Sequence, residues 1–90
     1  QQVSKSVNKT LSLGIENAKV VDGSYTLKGS DGQTYASGTV TSAEVAVSGT
    51  MNCASGKITV TWKYTVPSLD EEGNEVEGEI QTKTETVEVQ

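Results

Sequence analysis

A chain of 90 residues buries only about 60–65 % of the surface that its unfolded form exposes, so we expect one small domain spanning residues 1–90. The sequence has no histidine, which argues against most hydrolase triads and His-based metal sites, so we predict a non-enzymatic protein with no cofactor. It has no arginine and a net charge of −5, which argues against nucleic acid as a partner, and no apolar run is long enough for membrane insertion.

The composition favours strands. The chain contains 12 valines, 12 threonines and 9 glycines, and β-branched residues suit pleated strands while glycines suit the turns between them. We therefore predict an all-β fold: a single antiparallel β-sandwich of immunoglobulin-like type with about six to eight strands, with a small β-barrel as the alternative.

The first predicted strand is a long extended segment. Its apolar residues all occupy odd positions and would share one face of a strand: Val3, Val7, Leu11, Leu13 and Ile15. Lys5 and Lys9 have the same parity. They predict that the strand leaves the core, bulges, or lies at a sheet edge, where an inward-pointing lysine discourages unwanted pairing.

The middle of the chain alternates turns and strands. Asp-Gly pairs at residues 22–23 and 31–32 predict tight turns that bracket a short strand at residues 24–28. A weaker strand is predicted at residues 33–41. Apolar and small residues at odd positions then predict a further strand over residues 43–53, and a turn at residues 52–56 closes this part of the chain.

Residues 57–66 carry the clearest pattern in the chain. Five large apolar residues alternate there with polar ones: Ile58, Val60, Trp62, Tyr64 and Val66. This is the pattern of a half-buried strand. Because Trp62 has the parity of the apolar face, we predict that it lies in the core rather than stacking on a ligand.

The last third of the chain suggests a pairing register. If residues 67–75 form the loop of a hairpin, both faces support one set of opposed pairs: Val66 with Val76, Trp62 with Ile80, Tyr64 with Gly78, Lys63 with Glu79, Thr61 with Gln81, and Lys57 with Glu85. In this register the ring of Tyr64 would cover Gly78. A change of apolar parity in the last strand predicts a bulge or a switch between sheets at residues 84–86.

Acidic residues concentrate in the C-terminal segment, where eight of the twelve lie between residues 70 and 90. The loop at residues 70–75 is rich in side-chain oxygens, and the interpretation that we favour is a solvated hairpin tip. The alternative is a Ca²⁺ site formed by Asp70, Glu72, Asn74 and Glu75, although the spacing is not that of an EF-hand.

Two further residues are candidates for a role beyond the core. Cys53 continues the odd-parity series, which favours a buried thiol acting as a small apolar residue, with an intermolecular disulfide as the alternative. Tyr35 has small polar neighbours and is the best candidate for an exposed aromatic side chain.

These features predict a non-catalytic structural or assembly module of a surface or virion protein, such as a fibre, a pilus-like filament, an adhesin, or a phage decoration or tail component. The location would be extracellular, at a cell surface or on a virion. The start at Gln1 favours a mature chain or a domain of a longer protein.

The expected partner is a protein or a second copy that pairs with an edge strand, with these residues at the contact: Lys5, Lys9, Tyr35, Glu85 and Glu88. The alternative is a carbohydrate-binding module that presents its glycan site on loops, using Tyr35 and the acidic loop.

Overall fold

Eight β-strands and no helix form residues 4–89, the residues that this computed structural model describes. The strands are β1 Lys5–Ser12, β2 Lys19–Gly29, β3 Thr34–Thr39, β4 Glu44–Met51, β5 Gly56–Thr65, β6 Ser68–Leu69, β7 Glu75–Val76 and β8 Gln81–Val89. The predicted all-β class is confirmed. Residues 4–89 contain no helix long and apolar enough to cross a membrane.

The strands form antiparallel sheets that enclose one core. A four-stranded sheet has the order β3-β2-β5-β8, a two-stranded sheet pairs β1 with β4, and the two short strands β6 and β7 pair with each other. The core takes side chains from both of the larger sheets, and its largest fully buried members are Trp62, Leu13, Leu27, Met51, Ile58, Val47 and Val60. This arrangement is consistent with a sandwich-like or barrel-like fold.

The strand β5 lies in the interior of the four-stranded sheet, and its predicted alternation is confirmed from Ile58 to Tyr64 but ends at Thr65, which the pattern places on the polar face and which is buried. Ile58, Val60 and Trp62 are fully buried. The indole Nε1 of Trp62 donates a hydrogen bond of 3.1 Å to the carbonyl oxygen of Ser42, so the polar end of the ring is satisfied inside the protein. Trp62 is therefore a core residue, as its parity predicts.

The predicted register between β5 and β8 is wrong by three residues. Trp62 lies opposite Lys83 instead of Ile80, and Tyr64 lies opposite Gln81 instead of Gly78. The observed pairing turns Val87 and Val89 towards the core face, and Val89 is buried. It leaves Ile80 with 65 % of its surface exposed. Since residues 81–86 are polar on both faces, the two valines at the end of β8 decide the register.

The charge pairs of the predicted register change with it. Lys57 lies opposite Glu88 instead of Glu85, and Lys63 lies opposite Thr82 instead of Glu79. The predicted bulge at residues 84–86 is also wrong, because β8 pairs with β5 in one unbroken register. The change of apolar parity arises because Val76 and Ile80 lie before β8, in a segment that is not part of the four-stranded sheet.

Bulges occur in β2 instead. The strand β2 runs through the Asp-Gly pair at residues 22–23, so the turn that the sequence predicts there is wrong; both residues pair with β5, and the register shifts just before them, at Val21. The Asp22 carboxylate accepts a hydrogen bond of 2.8 Å from the Gly23 amide, which supports this irregular backbone. The turn predicted at residues 31–32 is confirmed, with Gly32 in the left-handed region at a φ of 88°.

An aromatic ring does cover a cross-strand glycine, but not at the predicted position. Tyr25 of β2 lies opposite Gly38 of β3, and a Cβ atom at Gly38 would approach the Tyr25 ring to 2.8 Å. Gly78 instead lies against the backbone of Val66, where an added Cβ would be 2.7 Å from the carbonyl oxygen. The chain segments entering and leaving the β6–β7 hairpin are therefore in close contact.

The strand β1 lies at the edge of its sheet within the described residues, which is one of the three possibilities that its lysines predict. Lys9 lies opposite the buried Val47 and is exposed, while Lys5 lies opposite Met51 and is half-buried. Val7 and Leu11 supply the buried contacts of β1. Val3, predicted to continue this series, lies outside the described residues.

Candidate functional site

The molecule is strongly elongated. Its principal extents are 66 × 17 × 15 Å, and its radius of gyration is 16.5 Å, whereas a compact domain of this length has about 12 Å. The strand β5 defines the long axis: it begins at Gly56 near one pole and leads into the β6–β7 hairpin towards the other. The two poles carry different candidate interaction surfaces.

The first surface is the hairpin of residues 68–80, which we call the arm. Every residue from 68 to 82 is exposed. The arm carries six carboxylates and no lysine. It also carries three of the four most exposed large apolar side chains in the described part of the chain: Leu69 at 72 %, Ile80 at 65 % and Val76 at 45 %. The arm is thus an acidic segment with bare apolar side chains.

The tip of the arm is organised by Asp70. Its Oδ1 accepts hydrogen bonds from the amides of Glu72, at 2.9 Å, and Asn74, at 2.8 Å. The Asp70 amide donates to the Asn74 carbonyl at 2.9 Å, and Gly73 adopts a φ of 84° to close the turn. The carboxylate therefore stabilises a turn and gives the exposed hairpin a defined shape.

The alternative Ca²⁺ site that the sequence suggests would lie at this tip. One Asp70 oxygen is committed to two backbone amides, and within residues 4–89 no group of three or more His, Cys, Asp or Glu side chains is arranged to hold a metal ion. Glu72, Asn74 and Glu75 all lie exposed on the arm. The geometry of this tip is that of a hydrogen-bonded turn.

The second surface is a cleft at the opposite pole, with a volume of about 550 Å³. The end of β2, the start of β5 and the end of β8 meet there and contribute two successive cross-strand rows. One row is Lys28, Lys57 and Glu88, and the next is Gly29, Gly56 and Val89. The second row supplies backbone and the buried Val89, while the first supplies two lysines and one carboxylate.

Glycine is required where the cleft meets the core. A Cβ atom on Gly56 would lie 2.6 Å from the Lys28 carbonyl oxygen and 2.6 Å from the Met51 sulfur. A Cβ atom on Gly29 would lie 2.5 Å from the Cys53 sulfur. The space beside both α-carbons is therefore already filled, by the Met51 and Cys53 sulfurs among others, so this row of the cleft lining accommodates only glycine.

A polar cluster stands beside this cleft, around Gly29. The Tyr35 hydroxyl donates a short hydrogen bond to Oδ2 of Asp31, and the Asp31 Oδ1 accepts a bond of 3.1 Å from the Gln33 amide. The bond from Tyr35, with that from Gln33, lowers the pKa of the Asp31 carboxyl below its ordinary value. The bond to Asp31 raises the pKa of Tyr35 to about 12. Tyr35 is half-buried.

Cys53 belongs to the same cluster and is half-buried, so the predicted buried thiol is confirmed only in part. Its thiol donates to the Ser55 carbonyl oxygen at 3.2 Å. Cys53 is free within the described structure. The cluster thus combines a tyrosine, a carboxylate and a thiol, all with hydrogen-bond partners.

The residues predicted to make contacts lie in three places. Tyr35 and Glu88 lie at the cleft pole, and Lys5 lies there too, opposite Met51. Lys9 lies in the middle of β1, and Glu85 lies in the middle of β8, which belongs to a different sheet. The structure therefore does not gather the five residues into one site.

Sequence reasoning missed the exposed apolar residues of the arm and the two lysines of the cleft. The sequence pattern predicts Leu69 in a loop and Ile80 opposite Trp62 on the core face. One signal was present in the sequence. Leu69 lies directly before the acidic run at residues 70–72, and a large apolar residue in a solvated loop indicates a surface that a partner covers.

The outer face of the four-stranded sheet is a third surface, and it is lined by hydroxyl groups. Cross-strand pairing places two rows of hydroxyl-bearing residues there, Thr39–Ser24–Thr61–Thr84 and Ser37–Thr26–Thr59–Thr86. The Thr61 and Thr84 hydroxyl oxygens are 3.3 Å apart and hydrogen-bonded. These rows are uncharged, in contrast to the arm.

Comparison of the chain with protein-family models, with curated proteins and with solved structures finds no match in any of the three.

Proposed function

We propose that this domain is a non-catalytic assembly module of a surface or virion protein, and that copies of the chain associate through the arm. The observation that carries the proposal is the exposure of Leu69 and Ile80, at 72 % and 65 %, on a hairpin that projects from the domain. Apolar side chains grouped on an exposed segment are typical of a surface that another protein covers.

The charge of the arm supports a specific contact over indiscriminate aggregation. Its six carboxylates repel one another and other arms, so two arms do not pair readily in solution. A partner surface for the arm must therefore supply cationic groups as well as an apolar pocket. The hydrogen bonds of Asp70 give the tip its shape before binding, which lowers the entropy cost of association.

Strand addition at the sheet edges is less well supported than docking of the arm. Lys9 of β1, and Lys83 and Glu85 of β8, have core-face parity on the two strands that were expected to pair with a neighbour. Inward-facing charges at an edge disfavour the addition of a further strand. We therefore place the main contact at the arm.

The finer architecture and location are part of the same proposal. The two layers around a shared core support a sandwich of immunoglobulin-like type, although the order β3-β2-β5-β8 is that of a simple antiparallel sheet. An extracellular, cell-surface or virion location agrees with the elongated shape and acidic surface. The carbohydrate-binding alternative has no supporting observation, since Trp62 is buried and the Tyr35 hydroxyl is bound to Asp31.

Sedimentation velocity from micromolar to millimolar concentration tests the proposal. We expect the weight-average mass of the wild-type chain to rise with concentration, and we expect L69S and I80S to weaken that rise. V21S is the matched control, because Val21 is also an exposed apolar side chain, at 46 %, but lies in β2 outside the arm. A wild-type chain that stays monomeric throughout would overturn the proposal.

A further inference from the structure

We infer that the arm of one copy docks in the cleft of a second copy, in a head-to-tail arrangement. The inference rests on the proposed function and names the surface that receives the arm. The cleft is a pocket of about 550 Å³ that lies at the pole opposite the arm. Each copy therefore has the arm at one pole and the cleft at the other, so the arm of one copy can meet the cleft of the next.

The chemistry of the two surfaces matches. Leu69 is an exposed apolar side chain followed directly by Asp70 and Glu71. The cleft offers the buried Val89 beside two adjacent glycines, and its outer row carries Lys28 and Lys57. An aliphatic side chain of the arm would lie against the lining formed by Gly29, Gly56 and the small exposed part of Val89, and the carboxylates that follow it would meet the lysines.

The position of the two surfaces prevents an arm from reaching the cleft of its own domain. The strand β5 has ten residues and runs from Gly56 in the cleft to Thr65 near the base of the arm, a distance of about 33 Å at a rise of about 3.3 Å per residue. The arm then continues away from the cleft. Since the contact uses different surfaces on the two copies, it is heterologous and leads to an open chain or a ring of subunits.

Glu88 weakens the attraction between the cleft and the acidic arm. It lies in the same row as Lys28 and Lys57, so the cleft is not uniformly basic. A carboxylate of the arm would be attracted to the two lysines and repelled by Glu88. We therefore expect E88Q to strengthen association and K57E to weaken it.

The test uses the full chain in sedimentation velocity, with one arm variant and one cleft variant. L69S removes an apolar contact worth about ten- to hundred-fold in affinity, and K57E reverses a charge in the cleft. Both residues are exposed, so both variants should keep the melting temperature of the wild type. K63E is the control for the charge change, because Lys63 is exposed on β5 outside the cleft.

The decisive measurement mixes the two variants. L69S keeps an intact cleft and K57E keeps an intact arm, so each should be largely monomeric alone while the mixture forms heterodimers that grow no further. K63E should assemble like the wild type. This pattern is specific to a contact in which each copy contributes a different surface.

The outcomes separate this inference from the proposed function. If the wild type assembles but K57E assembles equally well, the cleft is not the receptor, while the assembly proposal stands. If the mixture stays as monomeric as its components, or the wild type stops at a closed dimer, the head-to-tail arrangement is wrong. If the wild type never associates, both proposals fail.

Discussion

The Lys83 ammonium donates a hydrogen bond of 2.7 Å to the carbonyl oxygen of Leu13, 70 residues earlier in the chain. Lys83 is half-buried on the core face of the edge strand β8, opposite Trp62. Leu13 is fully buried just beyond β1. This contact connects the edge of the four-stranded sheet to the chain that leaves the two-stranded sheet, so a charged residue on the core face contributes to closing the fold.

Replacing Lys83 by methionine should destabilise the domain. The apolar stem is kept, but the Leu13 carbonyl loses its charged donor, which we expect to lower the free energy of unfolding by about 1–3 kcal/mol. Urea denaturation followed by circular dichroism measures the change. K63M is the control, because Lys63 is exposed, and its effect should stay within about 0.5 kcal/mol. Equal effects of the two substitutions would contradict the role assigned to Lys83.

Trp62 should be the most sensitive position in the core. W62A removes a fully buried indole and its bond to the Ser42 carbonyl, so we expect a loss of about 3–5 kcal/mol. A domain of this size has little stability beyond that. Circular dichroism during thermal unfolding measures the effect, and W62F, which keeps a ring but loses the N–H donor, should fall between W62A and the wild type. A wild-type melting temperature for W62A would contradict a core role.

Replacing Thr65 by valine should stabilise the domain. Thr65 has 2 % of its surface exposed, and its hydroxyl oxygen has no hydrogen-bond partner among residues 4–89. Removing a buried hydroxyl without a partner, at nearly the same volume, should raise the free energy of unfolding by about 1–2 kcal/mol. T61V is the control, since the Thr61 hydroxyl is bound to Thr84. Urea denaturation showing T65V less stable than the wild type would mean that the hydroxyl is satisfied.

The Tyr35–Asp31 bond should make stability depend on pH at both extremes. The pKa of Asp31 is lowered from 3.8, so its contribution is present above that value and is lost as the pH falls below it. The pKa of Tyr35 is raised from 10.0 to about 12, so its contribution is present below 10.0 and is lost as the pH rises through that interval.

Y35F removes this bond and provides the test. Its melting temperature should lie furthest below that of the wild type in the range between the two transitions, and the difference should shrink in acid and in strong alkali. The ultraviolet absorbance of tyrosinate gives a second measurement, because one tyrosine that titrates near pH 12 in the wild type should be missing from Y35F. A difference that stays constant over the whole range would contradict the assignment.

A disulfide can test the register between β5 and β8. The Thr61 and Thr84 hydroxyl oxygens are 3.3 Å apart, so cysteines at these two positions should oxidise to a disulfide in the folded protein. The register that we predicted from sequence pairs Thr61 with Gln81, so the T61C/Q81C variant is the matched control. Both variants carry C53S to remove the native thiol. Thiol labelling after mild oxidation should find free thiols in the control alone, and the reverse result would contradict the observed register.

The amino-acid sequence by itself determined the strand character of β5 and the burial of Trp62. Five apolar residues at every second position specify which face of a strand is buried, whatever the neighbouring strands are. The turn at residues 31–32 was equally local, because Gly32 supplies the left-handed conformation that the turn requires. Such features depend on residues that are close in sequence, so a sequence pattern suffices to predict them.

Only the tertiary structure decided the register of β8, and with it the arm. Residues 81–86 of β8 are polar on both faces, so several registers satisfy the strand locally. Burial of Val89 within the shared core selects one of them, and this choice places Ile80 outside the sheet instead of opposite Trp62. The separation of the acidic arm from the lysines of the cleft follows from that packing, because β5 and β8 share one long axis and the arm continues it. The candidate site therefore depends on contacts between residues that are distant in sequence.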